Sequence, residues 1–129
     1  MLKKGILNPQ ILSLLARVRH TNMLVIADRG FPSWPMIETI DISLVDDVPK
    51  VLQVFEEIKS NYMIGQIFMA EEFNQVNLPE VIQALKNSCG EIPVLFEAHV
   101  NLKVHVPQAI GIIRTGDTTQ YSNMIIQSA

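Results

Sequence analysis

The chain has 129 residues, 48% of them hydrophobic, with ten Lys and Arg against thirteen Asp and Glu for a net charge of -3. That length supports one substantial core and argues against a second domain, and the charge offers no basic field to hold a nucleic acid backbone. One cysteine, Cys89, excludes an intrachain disulfide and a cysteine-rich zinc site, and no apolar run approaches the length that crosses a bilayer, so a soluble cytoplasmic protein is expected.

The basic start Lys3-Lys4 is followed by an apolar stretch that Asn8-Pro9-Gln10 breaks at once, which is no signal peptide. Asn8 and Pro9 instead predict a helix start, because Asn accepts free backbone N–H groups and Pro lacks one of them. Ile11, Leu12, Leu15 and Val18 mark its apolar face. Met23 to Ala27 has strand length and is apolar on both faces, as in a buried parallel strand. A Gly-Pro loop, Gly30 to Pro35, follows, and Glu38 to Ser43 alternates as a short strand. Pro49 opens a helix bearing Val51, Leu52, Val54, Phe55 and Ile58, and Ile64 to Ala70 is the next strand. Glu71-Glu72 reads as the start of a solvated helix or loop. Pro79 begins a further helix that ends near Cys89-Gly90, and strands are expected at Pro93 to Phe96, Ile110 to Arg114 and Met124 to Gln127.

Strands alternating with helices predict a three-layer, single-domain α/β fold over residues 1–129, with a mostly parallel central sheet and a C-terminal antiparallel strand. Ligands in such sheets bind beyond the carboxyl ends of the strands. Asp28, Glu71, His99 and Gly116 would then leave strands on one edge, where Tyr121 and Asn123 enter the last strand. His20 does not fit that edge. It precedes the first strand, whose five residues at ~3.3 Å each hold it about 16 Å from Asp28. A site that needs both must kink the chain or take one from a second subunit, and the second option predicts an obligate oligomer.

His20 can be read as a helix-end residue whose imidazolium complements the terminal carbonyls, or as a general acid–base, since imidazole titrates near neutral pH. Asp28 suits a loop cap or an acceptor for sugar hydroxyls, and Tyr121, Ser122 and Asn123 both donate and accept on neighbouring atoms. Phe31 and Trp34 could stack on a sugar ring or fill an interface, and His105 reads as a surface or packing residue. No glycine-rich nucleotide loop, metal-ligand spacing or nucleophile elbow is present, so no cofactor and no metal are expected.

The run Lys3-Lys4-Gly5-Ile6-Leu7-Asn8, His20-Thr21, Val25-Ile26-Ala27-Asp28 with Gly30-Phe31-Pro32, and Ile113-Arg114-Thr115-Gly116-Asp117 with Tyr121-Ser122-Asn123 resembles the D-ribose pyranase and L-fucose mutarotase family over nearly the whole chain. His99 with Leu102-Lys103 resembles the His-x-x-Phe-Lys stretch of the pyranase branch. The resemblance implies an RbsD-like fold and a cofactor-free isomerase that interconverts ring forms of a free aldose. It also implies a homo-oligomer, typically a decamer, with sites between subunits. Matched position by position, His20 takes the catalytic place, and Asp28, His99, Tyr121 and Asn123 the sugar-contacting ones, with Ser122 between them. A noncatalytic sugar-binding or transport-accessory protein is the alternative on the same scaffold. Arg19-His20-Thr21-Asn22 stands where the family usually has Gly-His-Thr-Asp, and Asp28-Arg29-Gly30 where it has Asp-Ala-Gly. The added guanidinium groups imply either an ion pair at a subunit interface or, for Arg29, contact with an acidic group on the substrate.

Overall fold

Asn8 caps the first helix as its chemistry dictates: its side chain accepts the Ile11 N–H at 3.0 Å and Pro9 occupies the first helical position. In the computed structural model, which describes residues 1–129, this helix α1 is Pro9–Arg17. It ends before His20, because Val18 is extended and the Arg19 guanidinium donates to the Ala16 and Val18 carbonyls, both at 2.8 Å. The buried face also differs from the expected one. Leu14 is fully buried, whereas Leu12 faces solvent. Leu14 settles over Gly111, where an added Cβ would lie 2.6 Å from a Leu14 methyl, so a side chain at that strand position would force Leu14 to shift.

Strand β1, Met23–Ala27, is buried from Leu24 to Ala27, as its unbroken apolar run requires. β2 is Thr39–Asp41, shorter than the alternation suggested, because Asp41 turns the chain by accepting from the Ser43 N–H and hydroxyl. Helix α2 is Val51–Lys59 and begins two residues after Pro49, where the Asp117 carboxylate accepts the Val51 N–H at 2.8 Å. β3 is Ile64–Ala70, followed directly by the short helix α3, Glu72–Val76, and then by α4, Pro79–Cys89. β4 is Val94–Glu97. The stretch after it, which carried no expected element, forms helix α5, His99–His105, and a 3-10 turn, Val106–Gln108. β5 is Ala109–Arg114 and β6 is Met124–Ser128.

These strands form a six-stranded sheet in the order β2-β5-β1-β6-β3-β4. Five run parallel, and β6 runs antiparallel between β1 and β3, so the last strand is central rather than marginal. One face is covered by α1, α2 and α4 around Leu14, Phe55, Ile58, Leu85 and Ile126. The other carries α5, the 3-10 turn and Phe31 around Phe68, Leu102, Val106 and Ile125. The three-layer, mostly parallel α/β fold is therefore the one expected. Phe55 has 0% exposure at the centre of the larger cluster, so Phe55→Ala is expected to cost about 3–5 kcal/mol, read as a lower urea midpoint at unchanged slope.

Candidate functional site

The antiparallel entry of β6 builds the site. Its pairing with β1 sets Met124 opposite Ile26, so Asn123 meets the residue that leaves β1, Asp28. Asn123 uses both ends of its amide there: its Oδ1 accepts the Asp28 backbone N–H at 2.8 Å, and its Nδ2 donates to Asp28 Oδ2 at 3.0 Å. The other carboxylate oxygen accepts the Gly30 N–H at 2.9 Å. Burial of the carboxyl raises its pKa above the ordinary value of 3.8, against the lowering by the Gly30 and Asn123 hydrogen bonds; nearby Asp117 adds to the rise and His99 opposes it.

Tyr121 holds a left-handed backbone, φ 56°, which a tyrosine adopts only where its surroundings fix it. Thr119 N–H donates to Asp117 Oδ1 at 2.7 Å, and Asn77 Nδ2 donates to the Gln120 carbonyl at 2.9 Å. The Tyr121 ring then stands edge-on to His99, centroids 5.2 Å apart at 78°. His99 opens α5, and its backbone N–H reaches both carboxylate oxygens of Glu72, at 3.0 and 3.1 Å. Glu72 titrates below its ordinary 4.5, held down by its own backbone N–H and then by that of His99.

Asp28, His99, Tyr121 and Asn123 thus line one open cavity of about 430 Å³. Lys103, one helical turn beyond His99, also faces it, with Gln120 and the Gly30-Phe31-Pro32 loop. The cavity offers a carboxylate acceptor, amide, phenol and ammonium groups and an imidazole, a set matched to several hydroxyls of one small molecule. Lys103, placed only within the stretch that resembles the pyranase branch and given no role there, and Gln120 were not among the candidate site residues. The i, i+4 spacing of His99 and Lys103 would have revealed the first had the helix been foreseen.

Other candidates lie elsewhere. Ser122 alternates away from Tyr121 and Asn123 and lines a separate cavity of about 290 Å³ beside α2 and α4, with its hydroxyl buried and unpartnered. Arg29 is not among the residues lining the 430 Å³ cavity; it pairs with Asp46 at 2.5 Å, with both side chains more than half exposed. Arg19 caps α1 through its guanidinium. Thr115-Gly116-Asp117 is a structural pin: Thr115 binds the Ala27 carbonyl through both its N–H and its hydroxyl, each at 2.8 Å, and Asp117 caps α2. His105 packs as expected, its ring 4.7 Å from Phe68 and its Nε2 2.6 Å from Glu97 Oε1.

His20 stands at the opposite end of β1, exposed on a turn closed by Asn22, whose side chain accepts the Arg19 N–H at 2.8 Å. Thr21 follows at φ 65° and donates its N–H to Ser128 at 3.2 Å. Within one subunit His20 does not meet Asp28, as the strand length implied.

The model of the RbsD / FucU transport protein family matches residues 1–129. Among curated relatives, the D-ribose pyranase of Geobacillus thermodenitrificans (strain NG80-2) is 37% identical over 128 residues, covering 99% of this chain and 96% of the relative. That of Geobacillus kaustophilus (strain HTA426) is 38% identical, covering 99% and 93%. The structure of Bacillus subtilis RbsD complexed with D-ribose superposes with a TM-score of 0.91 at 30% identity, over 100% of this chain and 98% of that one. The fucose mutarotase of Streptococcus pneumoniae, solved in complex with L-fucose, shares the fold at a TM-score of 0.79 and 17% identity, over 95% and 92%.

Proposed function

Because the chain belongs to the RbsD / FucU transport protein family, we propose that it is a cofactor-free isomerase interconverting ring forms of a free monosaccharide, pyranose and furanose or the two anomers, with D-ribose the first sugar to test. The observation that carries this reading is the cavity in which Asp28, His99, Tyr121 and Asn123 converge, in a chain aligned end to end with D-ribose pyranases. Opening a cyclic hemiacetal requires a proton to leave the anomeric hydroxyl while another reaches the ring oxygen. Reclosure through another hydroxyl or face gives the new form, without redox change. His20 is assigned the acid–base role and Asp28, His99, Tyr121 and Asn123 the holding of the sugar hydroxyls, which limits the open chain's excursions between steps.

This assignment requires His20 of one subunit to reach the cavity of another. Helix α5 supports such an arrangement. His99 and Lys103 face the cavity, while Val100 and Val104, one turn apart on the same helix, are exposed at 71% and 64%. The active form is then a homo-oligomer, a decamer by the family resemblance, working in the cytoplasm. No helix is long and apolar enough to cross a membrane.

Saturation-transfer NMR on ribose, fucose, other aldoses and uronic acids tests the reading: the protein is expected to accelerate ring-form exchange of at least one. Sugar binding without acceleration would leave only a noncatalytic binding protein. The acid limb of the rate is expected above pH 3.8, because the ionised Asp28 is the hydroxyl acceptor, burial raises its pKa, and protonation on lowering the pH removes it.

A further inference from the structure

Helix α3 is too short to be stable alone and buries only Phe73, yet polar side chains at its two ends reach two different walls of the cavity. At its start, Glu72 gives both carboxylate oxygens to the His99 N–H. The residue before His99, Ala98, has no side chain to cap α5, so the first N–H of that helix takes its acceptor, and a favourable negative charge, from α3. Past the other end, Asn77 donates to the Phe73 carbonyl, closing α3, and to the Gln120 carbonyl. That carbonyl belongs to the peptide plane preceding Tyr121, so holding it sets the φ of 56° from which the Tyr121 ring meets His99.

We propose that α3 is a bracket for the sugar site, with Glu72 and Asn77 as positioning residues that fix the backbones of His99 and Tyr121. The inference rests on the reading that those two side chains contact the sugar. Glu72 touches no part of the cavity itself, so its effect passes through His99 alone. Glutamine keeps one acceptor oxygen and loses the charge, which makes it the graded substitution.

The test compares Glu72→Ala, Glu72→Gln and Asn77→Ala with the neighbouring control Glu71→Gln, reading KM and kcat for ribose exchange together with hydrogen exchange of the His99 amide. Glu72→Ala and Asn77→Ala are expected to raise KM about three- to tenfold with kcat held within about twofold, Glu72→Gln to fall between, and Glu71→Gln to match wild type. Faster exchange of the His99 amide is expected in the Glu72 variants alone. Unchanged KM in both alanine variants, or equal effects from Glu71→Gln, overturns the bracket. If Glu72→Ala does not fold, Glu72→Gln decides, and a wild-type KM there overturns it. If wild-type protein binds ribose without accelerating its exchange, the proposed function fails while the bracket is still judged by the ribose Kd of the same variants. If it binds no sugar, both fall, and the His99 amide then reports only a structural cap.

Discussion

His20→Ala is expected to lower catalysed ring-form exchange by roughly 10²–10⁴-fold while leaving assembly and melting temperature unchanged. The side chain is exposed and makes no hydrogen bond within its own subunit, so truncation creates no cavity and strands no partner there. The turn that carries it is held by Arg19 and Asn22, and neither contact involves the imidazole. Saturation-transfer NMR on ribose, with size-exclusion chromatography to follow the oligomer, measures both halves of the expectation. Exchange at the wild-type rate would remove His20 from the mechanism.

Asp28→Ala is expected to cost roughly 10²-fold in kcat/KM, because a charged acceptor is lost to the sugar and the Asn123 Nδ2 loses its partner. Asparagine at this position is no neutral replacement. The two oxygens now face the Gly30 N–H and the Asn123 Nδ2, so one amide nitrogen would confront a donor, while the Asn123 Oδ1 is already engaged by the Asp28 N–H. Stability responds in the other sense. A folded-state pKa raised above the unfolded one stabilises the fold below the unfolded value and loses that contribution as pH rises through the folded value, so at neutral pH the ionised carboxylate adds nothing through proton linkage. The alanine variant escapes that burial penalty but leaves the Asn123 Nδ2 and Gly30 N–H without their acceptor, so it is expected to stay folded with a slightly lower urea midpoint. Mixing unfolded His20→Ala and Asp28→Ala chains before refolding should restore about a quarter of the sites if each draws on two subunits. No recovery in mixed oligomers would mean that each subunit works alone.

The strand ends were legible in the sequence because burial writes itself as continuous apolar runs: Met23 to Ala27 and Ile64 to Ala70 have the bounds their residues suggested. From those ends alone Asp28, His99, Tyr121 and Asn123 could be gathered on one edge, and they do share a cavity. Helix α5 was not legible, since Val100, Val104 and His105 are weak helix formers and tertiary contact overrides their preference. With it went Lys103. Ser122 was grouped with its neighbours because sequence proximity does not say which way a residue turns; on either side of a left-handed Tyr121, the chain sends it to the opposite face. Arg29 and Glu72 depended on partners at Asp46 and His99, far along the chain, which no local pattern announces.

The placement of β6 governs the order in which the molecule can become whole. Until residues 124–128 take their place, β2, β5 and β1 form one half-sheet and β3 with β4 another, with no strand to bridge them. The strand made last is therefore a keystone, joining contacts remote in the chain, so closure is slow relative to local helix formation. The same event brings Asn123 to Asp28, so the protein acquires its cavity and its continuous sheet in a single step.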